Sequence, residues 1–246
     1  MTLSSSYDAI FATPLEKVSD FKFDENVAKV FPDMLKRSIP GYENIIPMIG
    51  LIAERYVQPD STVYDLGSSL GAATLAMRRR IKQPNVRMVA VDNSAAMIAR
   101  CAEVLAAVDP SPIPVELVEA NVQDTTIVDA SVVVLNFTLQ FVEPAQRAQV
   151  IQKIYDGLRP GGVLILSEKI HLPTAAQDER FVELYYDFKR ANGYSELEIA
   201  QKRTALENVM ILDTVSAHQE RILTAGFRTC EQWFQAFNFV SLLALK

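Results

Sequence analysis

The chain has 246 residues, 49% of them hydrophobic, which suffices for one large core and excludes a disordered or fibrous polypeptide. A formal net charge of −6 argues against a broad phosphate-binding surface, so no direct nucleic-acid binding is expected. No apolar run reaches the roughly 18 residues of a membrane helix, and Met1-Thr2-Leu3-Ser4-Ser5 lacks the layout of a signal peptide, so the expected compartment is the cytoplasm, with no membrane partner.

Cys101 and Cys230 stand in neither a CxxC nor a Cys/His spacing. They read as buried free thiols, with no metal site and no disulfide. No linker, low-complexity tract or repeat divides the chain, so a single domain over residues 1–246 is expected, with Pro110, Pro112 and Pro114 marking a tight loop.

In chain order, residues 1–60 read as a helical extension. Short β-branched runs at 62–66, 86–91, 115–118, 131–135 and 163–166 then alternate with helical patterns, which predicts parallel strands joined by crossover helices. The apolar continuity of 132–135 and 163–166 makes these the central strands, buried on both faces. Residues 171–213 read as a helical insert. In it Phe181, Leu184, Tyr185 and Phe188 form one apolar face, Asn192-Gly193 ends the helix, and Ser195 with Glu198 forms a capping box for a second helix carrying Arg203. The runs 226–233 and 236–245 lie too close together for a crossover and predict a terminal antiparallel hairpin. The expected fold is thus α/β, Rossmann-like, mostly parallel with an antiparallel end.

Asp65-Leu66-Gly67-Ser68-Ser69-Leu70-Gly71 follows the first strand and opens a helix, the setting of a nucleotide-binding loop. Gly67 would let a ligand approach the backbone, and Gly71 would let the helix pack close to the strand. The spacing is not GxGxxG, and an acid before the glycine suits a cationic amino-acid moiety better than a pyrophosphate. The second strand ends in Asp92-Asn93-Ser94, where a carboxylate can accept from both hydroxyls of a ribose, or merely cap the next helix. Asn121-Val122 closes the third strand and Asn136 the fourth. All lie at carboxyl ends of strands, where open α/β sheets bind ligands.

The loop, Asp92, the Leu158-Arg159-Pro160-Gly161-Gly162 turn and the hairpin together resemble the class I S-adenosylmethionine-dependent methyltransferase fold. A closer resemblance covers nearly the whole chain. Val30-Phe31-Pro32-Asp33-Met34, Pro40-Gly41-Tyr42, Leu135-Asn136-Phe137-Thr138-Leu139-Gln140-Phe141, Phe188-Lys189-Arg190-Ala191-Asn192-Gly193-Tyr194-Ser195 and Leu206-Glu207-Asn208-Val209-Met210 resemble the carboxy-S-adenosyl-L-methionine synthase family.

That resemblance implies S-adenosylmethionine as substrate and prephenate as co-substrate, giving carboxy-S-adenosylmethionine and phenylpyruvate. The product would serve a separate enzyme, a tRNA carboxymethyltransferase that modifies the wobble uridine. In the family's proposed mechanism the sulfonium methyl becomes an ylide that captures carbon dioxide shed by prephenate, and the hydroxide leaving prephenate can take the proton. The resemblance also implies a homodimer, for which the 171–213 insert offers apolar surface, and no metal. It places the S-adenosylmethionine contacts on Tyr42, Gly67, Ser68, Ser69, Asp92, Asn93, Asn121, Val122, Asn136 and Arg203. Ser68 departs from an expected cysteine, and Asn121-Val122 from an expected Asp-Ile.

Arg203 would recognise the new carboxylate, because a guanidinium presents two parallel donors to two oxygens. Taken without the family, it could equally be a surface partner of Glu207 at i+4. Lys169, Lys189, Arg190 and Lys202 are the further cations available to a dianion. His171 and His218 are assigned no role. The competing readings are an ordinary methyltransferase of a small carboxylic acid, with Arg203 holding the acceptor, and a non-catalytic binding module.

Overall fold

A computed structural model describes residues 6–107, 111 and 113–246; the expected loop prolines Pro110 and Pro112 and the first five residues lie outside the described part. The first run of β-branched residues forms β1 (Thr62–Leu66), buried along its whole length. It pairs in parallel with β2 (Arg87–Asp92) on one side and β4 (Ala130–Asn136) on the other. β3 (Val115–Glu119) extends the β2 side, and β5 (Leu158–His171) extends the β4 side, both parallel. The terminal hairpin, β7 (Thr229–Ala236) and β8 (Phe239–Leu245), adds to β5 through β8 in antiparallel sense. The order is β3-β2-β1-β4-β5-β8-β7, with the two-residue β6 (Asp213–Thr214) beside the end of β5. Chain progression reverses at β1, and the crevice above β1 and β4 is where such a sheet takes a ligand.

Alternation along the strands divides the core. Val133, Leu135, Leu164 and Leu166 face α5 (Pro144–Gly157) and α8 (Val215–Thr224), meeting Ile151, Ile154 and Ile222. Val132, Val134, Val163 and Ile165 face the other way, onto α2 (Tyr42–Tyr56) and α3 (Ala72–Arg80). On α2, Ile45, Ile49 and Ala53 stand four residues apart and are fully buried, so one stripe of that helix supplies its attachment. Each such isoleucine contributes about 1.5–3 kcal/mol. α4 (Ala95–Ala107) packs beside α1 (Glu25–Ser38), which Asp24 caps by accepting from the amides of Asn26 and Val27.

Several expectations are corrected. Only residues 25–38 and 42–56 of the N-terminal extension are helical; residues 6–24 run as an irregular segment containing a few turns. The expected turn at 158–162 belongs to β5, as a bulge: Ala130 pairs with Leu158 but Val132 with Val163, so Arg159 to Gly162 are looped out, and the strand runs on to include His171. In the insert, α6 (Ala175–Ala191) turns Tyr185 and Lys189 inward, while Leu184 is 39% exposed. The apolar face read at Phe181, Leu184, Tyr185 and Phe188 is therefore split, because the inner surface is a polar cleft and not a core. α7 (Glu196–Leu206) begins with the expected Ser195–Glu198 capping box. Cys101 is buried, but Cys230, on the hairpin, is only half-buried.

Candidate active site

The carboxyl ends of β1, β2, β4 and β5, roofed by α1, α6 and α7, enclose a cleft of about 1410 Å³. This exceeds the roughly 300–1,000 Å³ that one small ligand needs. Its two ends differ in charge.

The first end is built on the glycine loop. Asp65, buried at the end of β1, accepts from the amide (2.9 Å) and hydroxyl of Thr74 and so anchors the first turn of α3. Burial raises its carboxyl to about 6. Gly67 takes φ +79°, and a Cβ there would lie 2.2 Å from Thr138 Oγ1. Its missing side chain thus makes room for Thr138 of the loop after β4, and Gly67 itself lines the cleft. Gly71 likewise clears Cys101 Sγ on α4, which a Cβ would meet at 2.8 Å, so it serves helix–helix and not helix–strand packing. Ser69 and Phe137, both lining or adjoining the cleft, also have positive φ (48° and 61°), strain of the kind that gathers at functional sites.

Asp92 is held by two amides: Ser69 N donates to Oδ2 (2.9 Å) and Ser94 N to Oδ1 (3.0 Å). The cap of α4 is Ser94, whose Oγ accepts from Met97 N, so the capping alternative for Asp92 falls away. Ser68 Oγ and Asn136 Oδ1 are buried in residues of the cleft wall and have no hydrogen-bond partner among the described residues. Val122, Asn93 and Tyr42 also line the cleft. Asn121 does not. It is exposed, accepts from Asn93 Nδ2 (3.1 Å) and donates to Asp124 (2.9 Å), so it braces Asn93 from behind. Sequence reasoning missed Ala120 and Gln123, which line the wall in its place, and the edge-to-face cluster of Phe21, Phe23, Phe31 and Phe141 at the cleft's side. No motif marked these aromatics, since the segment carrying Phe21 and Phe23 has no regular structure.

The other end is basic. Lys169 from β5, Lys189 from α6, Lys202 and Arg203 from α7 and Arg37 from α1 all line it. Lys169 Nζ lies 4.5 Å and Lys189 Nζ 5.0 Å from the ring centre of Tyr185, a cation–π arrangement. Lys202 Nζ donates to Ser38 Oγ (3.0 Å). Burial lowers Lys169 and Lys202 to about 8; burial together with the charges of Lys202 and Lys169 lowers Lys189 to about 6. Arg190, also foreseen as available, instead pairs with Asp187 (2.7 Å) and Glu196 on the surface. Arg203 is exposed at the cleft and forms no ion pair with Glu207 or any other described residue, which removes the surface-pair reading. His171 sits at the rim against Asp178 (2.9 Å), whereas His218 is buried on α8 away from the cleft and lowered to about 4 by burial.

Comparison with known proteins agrees with this geometry. Residues 63–162 match the family described as "Methyltransferase domain". A solved structure from Methanococcus maripaludis, provisionally named an S-adenosyl-L-methionine-dependent methyltransferase, superposes with a TM-score of 0.60 at 20% identity, covering 95% of this chain and 97% of that one. The fold is therefore the class I methyltransferase fold. The carboxy-S-adenosyl-L-methionine synthase of Citrifermentans bemidjiense is 60% identical over 239 residues, 97% of this chain and 98% of its own length. That of Trichlorobacter lovleyi is 58% identical over 244 residues, 99% and 100% of the two chains. With such identity sustained from end to end, the chain belongs to the carboxy-S-adenosyl-L-methionine synthase family of enzymes.

Proposed function

We propose that this enzyme carboxylates the methyl carbon of S-adenosylmethionine with the carboxyl group of prephenate, releasing phenylpyruvate. The observation that carries this reading is the division of one cleft into an acidic end, with Asp65 and Asp92, and a basic end, with Lys169, Lys189, Lys202 and Arg203. An acidic wall suits a sulfonium bearing an amino-acid ammonium, and a basic wall suits a dicarboxylate. A simple methyltransferase acting on one carboxylate would need fewer cations.

In this reading Asp92 takes the ribose hydroxyls, while Ser68 and Asn136 supply the polar atoms that have no protein partner. Gly67, Ser69, Asn93, Val122 and Tyr42 shape the same end, and Asn121 acts through Asn93. The lysines neutralise the carboxylates of prephenate, and Arg203 holds the carboxylate of the product. One carbon–carbon bond breaks in prephenate and one forms at the methyl carbon. The methyl proton and the hydroxide that leaves prephenate together make water, so the sum balances without a protein base.

The product would supply a separate tRNA carboxymethyltransferase acting at the wobble uridine, in the cytoplasm. No helix among the described residues is long and apolar enough to cross a membrane. A homodimer through the insert is part of the same proposal; Leu184 and Leu197 stand exposed on its helices. A monomeric mass by light scattering at micromolar concentration would refute the dimer.

Mass spectrometry of the small molecules after incubation with S-adenosylmethionine, with and without prephenate, tests the reaction. The expected result is a prephenate-dependent species heavier by one carbon dioxide, together with phenylpyruvate. Release of S-adenosylhomocysteine with a methylated acid would overturn it in favour of methyl transfer.

A further inference from the structure

The irregular segment before α1 lies across α7: Leu15 N donates to Gln201 Oε1 (2.8 Å), Gln201 Nε2 donates to the carbonyls of Phe11 and Thr13, and Phe21 N donates to Ala205 O (2.8 Å). Within it Asp8 is 1% exposed and does not line the cleft. Its amide donates to Asp33 Oδ2 (2.8 Å) and its carbonyl accepts from Arg37 Nη1 (3.1 Å). The Arg37 guanidinium is itself clamped between the rings of Tyr7 and Tyr194, at 4.1 and 3.9 Å. The Asp8 carboxylate accepts from the Tyr194 hydroxyl and lies 3.7 Å from Lys202 Nζ. Of Lys169, Lys189 and Lys202, Lys202 alone has a carboxylate in ion-pair range among the described residues.

A lysine taken out of water loses its charge unless an anion compensates. Of the other titratable groups near this one, Arg37 opposes its charge, Asp33 favours it, and Lys189, brought down to about 6, adds little positive charge at pH 7. We infer that Asp8 is a positioning residue of the active site: from outside the cleft it keeps Lys202 charged and directs its ammonium toward the carboxylate substrate. The inference rests on the reading of the basic end as the carboxylate site. Burial pulls Lys202 down to about 8, and Asp8 acts against that fall.

Steady-state kinetics with prephenate and S-adenosylmethionine test this on the wild type, D8N, D8E, Y194F and K202M. D8N and K202M are expected to raise the prephenate KM by a similar factor, on the order of tenfold, with the S-adenosylmethionine KM unchanged. The double variant should be no worse than K202M alone, and D8E should recover part of the loss. Y194F, which keeps both charges, should stay near the wild type; a rise equal to that of D8N would overturn the inference by assigning the effect to anchoring of the segment. A raised KM in K202M with a normal one in D8N would overturn it while leaving the carboxylate site intact. A normal KM in K202M would overturn the role of Lys202 in that site and the inference with it. A reading that needs no change at Asp8 comes from ¹⁵N-lysine NMR, with K202M identifying the resonance: an ammonium is expected at pH 7, and a neutral amine would refute the role given to Asp8.

Discussion

Lys189 is only 4% exposed, its side-chain amine has no hydrogen-bond partner among the described residues, and it sits near two further lysines, so Lys189→Met should stabilise the free protein while harming the reaction. The unfolded amine keeps its ordinary value of 10.5, and burial, helped by Lys202 and Lys169, brings the folded one to about 6. Between these values the unfolded chain binds one proton more than the native protein, so native stability rises with pH by about 1.4 kcal/mol per unit. Methionine has the volume and flexibility of the lysine stem and no proton to lose. The gain from the substitution is therefore full below about pH 6, shrinks through the window and vanishes near pH 10.5. Between pH 7 and pH 9 it should fall by about 2–3 kcal/mol. Urea unfolding of wild type and variant at the two pH values measures it. A gain of equal size at both, or a variant less stable than wild type at pH 7, would refute the account of Lys189 as an uncompensated buried amine awaiting an anion. The same variant should show a raised prephenate KM, the trade of stability for function expected of a binding residue.

Three further outcomes are expected. Arg203→Met should leave stability within about 0.5 kcal/mol, since the side chain is exposed and in no ion pair among the described residues, yet lower kcat/KM for product formation by about 10²-fold in the mass-spectrometric assay. Gly67→Ala forces a side chain onto a left-handed backbone and into Thr138 Oγ1 at 2.2 Å; a loss of about 2–3 kcal/mol is expected in urea, part of it regained in the double variant with Thr138→Ala. Arg147, with a fully buried side chain, donates to the carbonyls of Val142 (2.9 Å), Gln140 (3.3 Å) and Ile211 (2.8 Å) and to Asp213 (2.9 Å). Arg147→Met strands the carbonyls of Val142 and Ile211, although Gln140 O keeps the Ile211 amide at 3.0 Å and Asp213 keeps Arg221 at 2.6 Å, and should cost about 3 kcal/mol by urea unfolding; a neutral result would mean that the wall formed by 140–142 and 210–212 needs no clamp.

The strands were legible because a buried parallel sheet demands what the sequence displays: β-branched runs of the right length, apolar on both faces, ending in small or polar residues. β1 matches residue for residue, and the hairpin follows from two runs with no room between them for a helix. Where the reading failed, periodicity was silent or ambiguous. Residues 6–24 carry no regular pattern because their attachment is through single hydrogen bonds to α7 and α1, such as Phe21 N to Ala205 O, and not through a repeating face. The bulge in β5 follows from register with β4, a property of two strands together that neither reveals alone.

The acidic end of the site was legible for the same reason as the strands, since a loop at the carboxyl end of a strand must face the crevice. The basic end was legible only in part: Lys169, Lys189, Lys202 and Arg203 were foreseen and line it, Arg190 was foreseen and does not, and Arg37 was missed. The neighbours Lys189 and Arg190 show why. Adjacent helical positions differ by about 100° in direction, so the two do not face the cleft together, and composition cannot say which one does. The choice is made by what surrounds each. Arg190 finds Asp187 one turn back and Glu196 at the start of α7, both exposed, and keeps its charge at the surface. Lys189 finds the rings of Tyr185 and Tyr194, which take its stem and face its amine but supply no anion to hold a charge on it. A cation satisfied by its own chain has nothing left to offer a substrate. Lys189 does, and the stability forgone in burying it is what makes the basic end a place where an anion gains by binding.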